Sequence, residues 1–150
     1  MPTDADPFDL QRFVDAQAPA IDAARAELAT GAKRSHWMWF VFPQAVVLGR
    51  SETARFYGLR SRAEAAAYWR HPQLGPRLVE CAALLEPHAA LGAERVLGSI
   101  DARKLRSCLT LFEAVAPTEP LFGRLLDAFY RGARDPATMA WLAALSGRDP

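Results

Sequence analysis

Residues 35–44 of the chain are Ser-His-Trp-Met-Trp-Phe-Val-Phe-Pro-Gln. This aromatic segment holds two tryptophans and two phenylalanines, with a histidine near its start and Pro43-Gln44 at its end. Aromatic side chains bury large apolar areas, and the indole N–H of a buried tryptophan needs a hydrogen-bond partner. Such density predicts either the centre of a hydrophobic core or the wall of a pocket that stacks a flat ligand.

Apolar residues recur at helical spacing on both sides of the aromatic segment. Glycine and proline residues divide the pattern into short pieces, and no piece alternates as a half-buried strand would. The sequence therefore predicts an all-α fold, a single compact domain over residues 1–150 with about seven or eight short helices. The residues expected to face its core include Ile21, Ala24, Leu28, Leu74, Leu78, Cys81, Leu85, Leu105, Cys108, Leu109, Phe112, Leu121, Leu125, Leu126, Met139, Trp141 and Leu142.

Polar residues that can cap a helix precede several of these pieces. Ser61 and Glu64 also have the spacing of a capping box, in which each side chain accepts a backbone N–H of the other residue. The aromatic segment is too short for its period to be decisive, and we expect a short helix or an irregular segment that Pro43 ends. The expected helix starts are Asp6, Ser51, Ser61, Asp101 and Asp135.

Composition excludes several classes of partner. A net charge of +1 over 150 residues gives no general attraction to nucleic acid. No uncharged apolar stretch approaches the roughly 20 residues that span a bilayer. The acidic N-terminus does not resemble a signal peptide, and two isolated cysteines are typical of a reduced, cytoplasmic protein. Three scattered histidines have no metal-ligand spacing, so we expect neither a metal nor a cofactor.

The first candidate site is the aromatic segment with Lys33 before it. An exposed face of Trp37 or Trp39 would stack a nucleobase or nicotinamide ring, a contact worth about 1–3 kcal/mol. Lys33 and Arg34 would hold phosphates, His36 would act as a general acid or base, and Gln44 would contact the ligand. The alternative is that the rings are simply core and that His36 is a polar residue at its edge.

The second candidate site is a helix face. At 3.6 residues per turn, Arg103, Ser107 and Thr110 share one side of the predicted helix, and Lys104 and Arg106 flank it. Cations and hydroxyls together suit an anion such as a phosphate or pyrophosphate. The alternative is an ordinary solvated face, although hydroxyl residues are neutral to unfavourable within a helix.

Several of these stretches resemble one known family. They are residues 6–14, the aromatic segment with Lys33, residues 65–78, and Asp101 with residues 104–112, and they span nearly the whole chain in order. They resemble the uncharacterised, mainly bacterial family called domain of unknown function 1810 (DUF1810). The resemblance implies a small all-helical fold and little about activity.

The layout is also distantly similar to the helical NADAR (YbiA-like) proteins. That resemblance implies chemistry at N-glycosidic bonds of ADP-ribose-type or riboflavin-pathway compounds. No NADAR motif matches this chain residue by residue, so no catalytic residue is carried over.

Our leading hypothesis is a cytoplasmic pocket protein for a phosphorylated, ring-bearing small molecule such as a nucleotide or an ADP-ribose-like compound. Lys33, Lys104 and Arg106 would hold the anion. If the protein catalyses a reaction, hydrolysis of a glycosidic or phosphoester bond fits best, with His36 transferring the proton. The alternative is a non-catalytic interaction module or homodimer with an aromatic core and no ligand.

Overall fold

The computed structural model describes residues 2–146 and places ten α-helices in that range. No strand forms among these residues, and an isolated parallel bridge joins Ala45 to Leu59. The all-α prediction is confirmed, and the number of helices is higher than expected because pieces of four or five residues also form helical turns. The helices are α1 (Gln11–Gln17), α2 (Ile21–Thr30), α3 (Met38–Val41), α4 (Glu52–Tyr57), α5 (Arg62–Arg70), α6 (Leu74–Leu85), α7 (Ala93–Leu97), α8 (Ser99–Val115), α9 (Leu121–Tyr130) and α10 (Pro136–Ser146). Short 3₁₀ helices cover Val46–Leu48 and Glu86–Leu91.

The longest helix, α8, runs through the centre of a continuous apolar core. The ring of Phe112 on α8 packs between Tyr68 and Phe122, at centroid distances of 5.5 and 6.1 Å. The predicted core residues are buried or half-buried, with one exception. Met139 is 50% exposed, because α10 turns Thr138 and Leu142 to the core and leaves Met139 beside them.

A buried hydrogen-bond network fixes α3, which carries the aromatic segment. The side-chain amide of Gln17 donates to the carbonyl of Phe40 at 2.7 Å and to the Tyr68 hydroxyl at 3.2 Å. Arg77 donates to the amide oxygen of Gln17 at 3.3 Å. Buried polar groups are costly unless paired, so this network holds α1, α3, α5 and α6 in one arrangement.

Several predicted helix starts are confirmed. The Ser51 hydroxyl accepts the Ala54 N–H, and the Ser61 hydroxyl accepts the Glu64 N–H at 3.0 Å. The reciprocal half of the predicted capping box is absent. The Glu64 carboxylate instead accepts the backbone N–H of Arg60 and pairs with Arg12 at 2.6 Å.

Two predicted starts are displaced. Asp6 accepts the N–H groups of Leu10 and Gln11, but the intervening turn delays α1 until Gln11. Asp101 was expected to cap α8, yet the helix begins at Ser99, with Gly98 as its N-cap residue. The Asp101 side chain is therefore inside the first turn of α8, where it forms ion pairs.

No helix among residues 2–146 is both long and apolar enough to cross a bilayer. Cys81 and Cys108 are free thiols in the core. Burial raises the pKa of Cys81 to about 12 and holds the pKa of Cys108 well above its ordinary value. Both thiols are therefore small buried side chains and not nucleophiles.

Candidate ligand-binding cleft

A cleft of about 310 Å³ separates the segment before α3 from the start of α8. Lys33, His36 and Trp39 line one side, together with Met38. Residues 97–101 and Lys104 line the other side. The cleft is therefore built where α2 leads into α3 and where α7 leads into α8.

The two lysines of the chain meet at this cleft. Lys33 Nζ lies 2.9 Å from Oδ2 of Asp101, and Lys104 Nζ lies 3.7 Å from Oδ1 of the same carboxylate. Of the 18 lysines and arginines in the protein, only those at positions 33 and 104 are lysines. Two ammonium groups and one carboxylate leave an excess of one positive charge in the cleft.

Lys33 is held tightly in its place. Its backbone N–H donates to the carbonyl of Val96 at 2.9 Å, which ties the end of α2 to α7. Its ammonium group donates to the carbonyl of Ser35 at 2.6 Å and lies 5.0 Å from the ring centroid of Trp37. An ammonium group has three donors, so the Ser35 and Asp101 contacts leave one for another acceptor.

Lys104 is held less completely. Its Nζ lies 4.5 Å from the ring centroid of Trp39, a cation–π contact, and the side chain is 20% exposed. Its ammonium group makes no hydrogen bond to any residue in the described part of the chain, since the nearest carboxylate oxygen of Asp101, at 3.7 Å, is an ion-pair partner only. Its hydrogen-bond donors are therefore not sealed in the protein, and they are open to water or to an added anion.

Glu27 on α2 positions the segment that carries the first half of the cleft. Its carboxylate accepts the backbone N–H groups of Arg34 and Ser35, the Ser35 hydroxyl and the Trp37 indole N–H. Burial acts to raise the pKa of Glu27, but these hydrogen bonds outweigh it and lower the pKa to about 2. An ionised Glu27 therefore stabilises the turn that aims His36 and Trp39 at the cleft.

The start of α8 adds backbone donors. Gly98 has φ +89, in the left-handed region that favours glycine, and no side chain caps the helix. The first N–H groups of a helix have no acceptor within it, and the helix dipole makes this end attractive to anions. In this structure that end borders the cleft at residues 98–101.

The structure brings together four of the residues that the sequence suggested: Lys33, His36, Trp39 and Lys104. His36 is exposed and makes no hydrogen bond within the range that the structure describes. The two candidate segments therefore border one cleft, but each contributes only part of its predicted set.

The remaining suggested residues lie elsewhere. Trp37 is 1% exposed and donates to Glu27, so it belongs to the core. Gln44 is half-buried and does not line the cleft. The hydroxyls of Ser107 and Thr110 are buried and donate to backbone carbonyls one turn earlier, at 3.1 and 2.7 Å. The face that they share points into the protein. Arg106 lies near Asp135, with 3.6 Å between its Nη2 and Oδ1, and faces a different cavity.

Sequence reasoning missed Asp101 and Glu27. Asp101 was assigned to helix capping, and nothing near it in the sequence indicated an ion-pair role. The lysines did carry a signal, because their rarity in an arginine-rich chain distinguishes positions 33 and 104 from the other cations. Glu27 carried no comparable signal, because its partners are seven to ten residues away across a turn. Among residues 2–146, no group of three His, Cys, Asp or Glu side chains is arranged to hold a metal ion.

The fold and the cleft define an all-helical protein with a lysine-lined, solvent-open cleft beside a half-buried tryptophan. Residues 7–142 match the profile of the family described as "Protein of unknown function (DUF1810)". The chain belongs to this family, as the resemblance in its sequence indicated.

A solved structure is also similar. The crystal structure of the conserved hypothetical protein Rv1873 from Mycobacterium tuberculosis superposes with a TM-score of 0.90 at 47% sequence identity. The match covers 92% of this chain and 99% of the other. No curated protein matches the sequence. The distant similarity to NADAR proteins therefore remains an expectation.

Proposed function

We propose that the cleft binds a phosphorylated, ring-bearing small molecule, such as a nucleotide or an ADP-ribose-like compound, in the cytoplasm. The observation that carries this proposal is the state of Lys104. Its side chain is four-fifths covered, and its ammonium group lies against Trp39 with an ion-pair partner but no hydrogen-bond acceptor in the described chain. A phosphate oxygen would supply the missing acceptor.

The donors around the cleft match a phosphate group. Lys104 would bind it directly, and Lys33, which lines the same cleft and pairs with the same carboxylate, would supply its remaining donor. The backbone N–H groups at the start of α8 would complete the set, as helix N-termini do for anions elsewhere. Asp101 would keep the two ammonium groups close together when the ligand is absent.

The apolar part of the cleft suits the ring. The half-buried indole of Trp39 and the side chain of Leu97 border it, and Ile100, at 69% exposed, lies at its rim. A flat group that covers these surfaces removes apolar area from water. The arrangement therefore favours a ligand with an anionic end and an apolar end.

A hydrolytic step would use His36. The ring is exposed, borders the cleft and has no hydrogen bond to another described residue, so it is free to reach a ligand. In hydrolysis of a glycosidic or phosphoester bond, water would attack the electrophilic atom as the bond to the departing group breaks, and protonated His36 would give that group its proton. The proton lost by the attacking water would then restore the protonated imidazole. This step is a finer hypothesis than ligand binding and needs its own test.

Isothermal titration with 5′-AMP tests the binding proposal. We expect Lys104→Gln to weaken binding by about tenfold or more, because a charge-assisted hydrogen bond is lost. Arg50→Gln is the matched control, since Arg50 is exposed, has no ion pair among the described residues and does not line the cleft.

Failure of AMP, ADP-ribose and ribose 5-phosphate to bind at millimolar concentration would contradict the proposal. A stable dimer in sedimentation equilibrium, combined with that failure, would favour the interaction module instead. If one of these ligands binds and is cleaved, His36→Ala should abolish its turnover and change its affinity by no more than about threefold.

A further inference from the structure

A second cavity bordered by α8, larger than the lysine cleft, lies on a different side of that helix. It is a groove of about 480 Å³ between the end of the 3₁₀ helix Glu86–Leu91, the start of α7, the first turns of α8 and the end of α9. Ser99, Arg103 and Arg106 face it at helical spacing, whereas Asp101 and Lys104 face the lysine cleft. Ser99 borders both.

The groove is strongly cationic. Arg95, Arg103 and Arg106 line it, and Glu94 is its one acidic lining residue, so an excess of two positive charges remains. Arg95 and Arg103 are exposed and have no ion pair within residues 2–146. Arg106 has a distant partner in Asp135, at 3.6 Å. Three guanidinium groups and a single carboxylate therefore line the same groove.

Aromatic side chains form the wall beside these cations. Phe129 and Tyr130, both half-buried at the end of α9, have ring centroids 6.4 Å apart. The Tyr130 hydroxyl donates to the carbonyl of Ala102, which fixes its ring against α8. Burial also raises the pKa of Tyr130, so the phenol stays neutral and adds no opposing charge.

We propose that this groove is a second binding site, for a small organic oxyanion that carries an aromatic ring. The planar guanidinium groups of Arg95 and Arg103 bind the oxygens of a phosphate or carboxylate, a geometry that arginine matches better than lysine. The ring of the ligand packs against Phe129 and Tyr130. This site does not depend on the lysine cleft.

The test uses the full chain and two simple ligands, phenyl phosphate and benzoate, followed by amide chemical shifts in ¹H–¹⁵N NMR spectra. We expect at least one of them to shift the amides of residues 91–95 and 102–106 in a saturable titration. The stronger ligand identifies the oxyanion that the groove prefers. Benzyl alcohol, which has the ring without the charge, should bind at least about tenfold more weakly.

Charge-removing variants locate the site. The double variant Arg95→Gln/Arg103→Gln should weaken the binding of phenyl phosphate or benzoate by about tenfold or more. The variant Arg103→Lys, which keeps a positive charge, should lose less affinity. Lys104→Gln should leave this affinity within about twofold, as should Arg70→Gln, an exposed arginine that lines neither cavity.

Two results would overturn the proposal. One is the absence of saturable shifts with either ligand at millimolar concentration. The other is binding whose affinity the variant Arg95→Gln/Arg103→Gln leaves unchanged. This result includes binding that shifts only the amides of residues 33–39 and that Lys104→Gln weakens. The second result would retain the lysine cleft as a site, so the two proposals fail separately.

Discussion

The carboxylate of Glu27 accepts the indole N–H of Trp37 at 3.0 Å, across a turn of ten residues. This bond satisfies the polar atom of a ring that is otherwise sealed in the core. It also separates the roles of two neighbouring tryptophans, since Trp37 is anchored inward and Trp39 is left half-buried at the cleft. Glu27 thereby decides which indole a ligand can reach.

The low pKa of Glu27 predicts a pH-dependent contribution to stability. Its value in the folded protein is about 2, against an ordinary value of 4.5. Because the folded state binds this proton less readily, the stabilisation is complete above pH 4.5 and is lost as the pH falls to about 2. We expect Glu27→Gln to lower the free energy of unfolding by on the order of 2 kcal/mol at neutral pH.

Urea denaturation across that pH range measures the effect. The difference between Glu27→Gln and the unmodified protein should shrink as the pH falls. Asp4→Asn is the control, because Asp4 is exposed and forms no hydrogen bond among the described residues. A difference for Glu27→Gln that does not change with pH would contradict the assignment.

Arg12 and Glu64 form a buried ion pair, with side chains only 8% and 3% exposed. Removing one partner leaves the other charge buried, so Glu64→Leu should lower the free energy of unfolding by about 3–5 kcal/mol. Arg12→Met should also be destabilising, since Arg12 additionally donates to the carbonyls of Phe8 and Phe56.

A double-mutant cycle separates these contributions. The double variant Arg12→Met/Glu64→Leu should lose less free energy of unfolding than the two single variants lose together, because neither charge is left unpaired. Strict additivity of the three unfolding free energies would show that the pair is not coupled.

Gly75 is required by a close backbone contact. A Cβ added there would lie 2.1 Å from the backbone oxygen of Trp69, which cannot move independently of α5. We expect Gly75→Ala to lower the thermal midpoint of unfolding and to reduce the free energy of unfolding by about 1–3 kcal/mol or more.

Gly123→Ala is the matched control on another helix. Its Cβ would meet the end of the Glu113 side chain at 2.8 Å, and that carboxylate can shift together with Arg134, its partly exposed ion-pair partner. The gain in helix propensity, up to about 1 kcal/mol, should make this variant neutral or slightly stabilising. Equal losses at both positions would rule out the backbone clash as the cause.

The two lysines should differ in chemical reactivity. Lys33 is 9% exposed and donates hydrogen bonds, whereas Lys104 is 20% exposed and donates none to the described chain. We therefore expect reductive methylation of the native protein to modify Lys104 first, as measured by peptide mass spectrometry over time. In the unfolded chain both amines are solvated, so the two lysines should be methylated at the same rate. Equal methylation rates in the native protein would contradict the contacts described for Lys33.

The sequence by itself determined the helical class and most of the core. Leu105, Cys108, Leu109 and Phe112 are fully buried as predicted, because apolar spacing along one helix is a local property that survives packing. The same logic placed the caps at Ser51 and Ser61, where donor and acceptor are three residues apart.

Tertiary structure decided the candidate sites. The faces of α8 could be listed from helical geometry, but which face is solvated depends on the helices packed around it, so Thr110 is buried while Arg103 is exposed. The lysine cleft depends on a contact between residues 33 and 101, and on a glutamate that holds the intervening turn. Such contacts join residues far apart in the chain, and local periodicity carries no information about them.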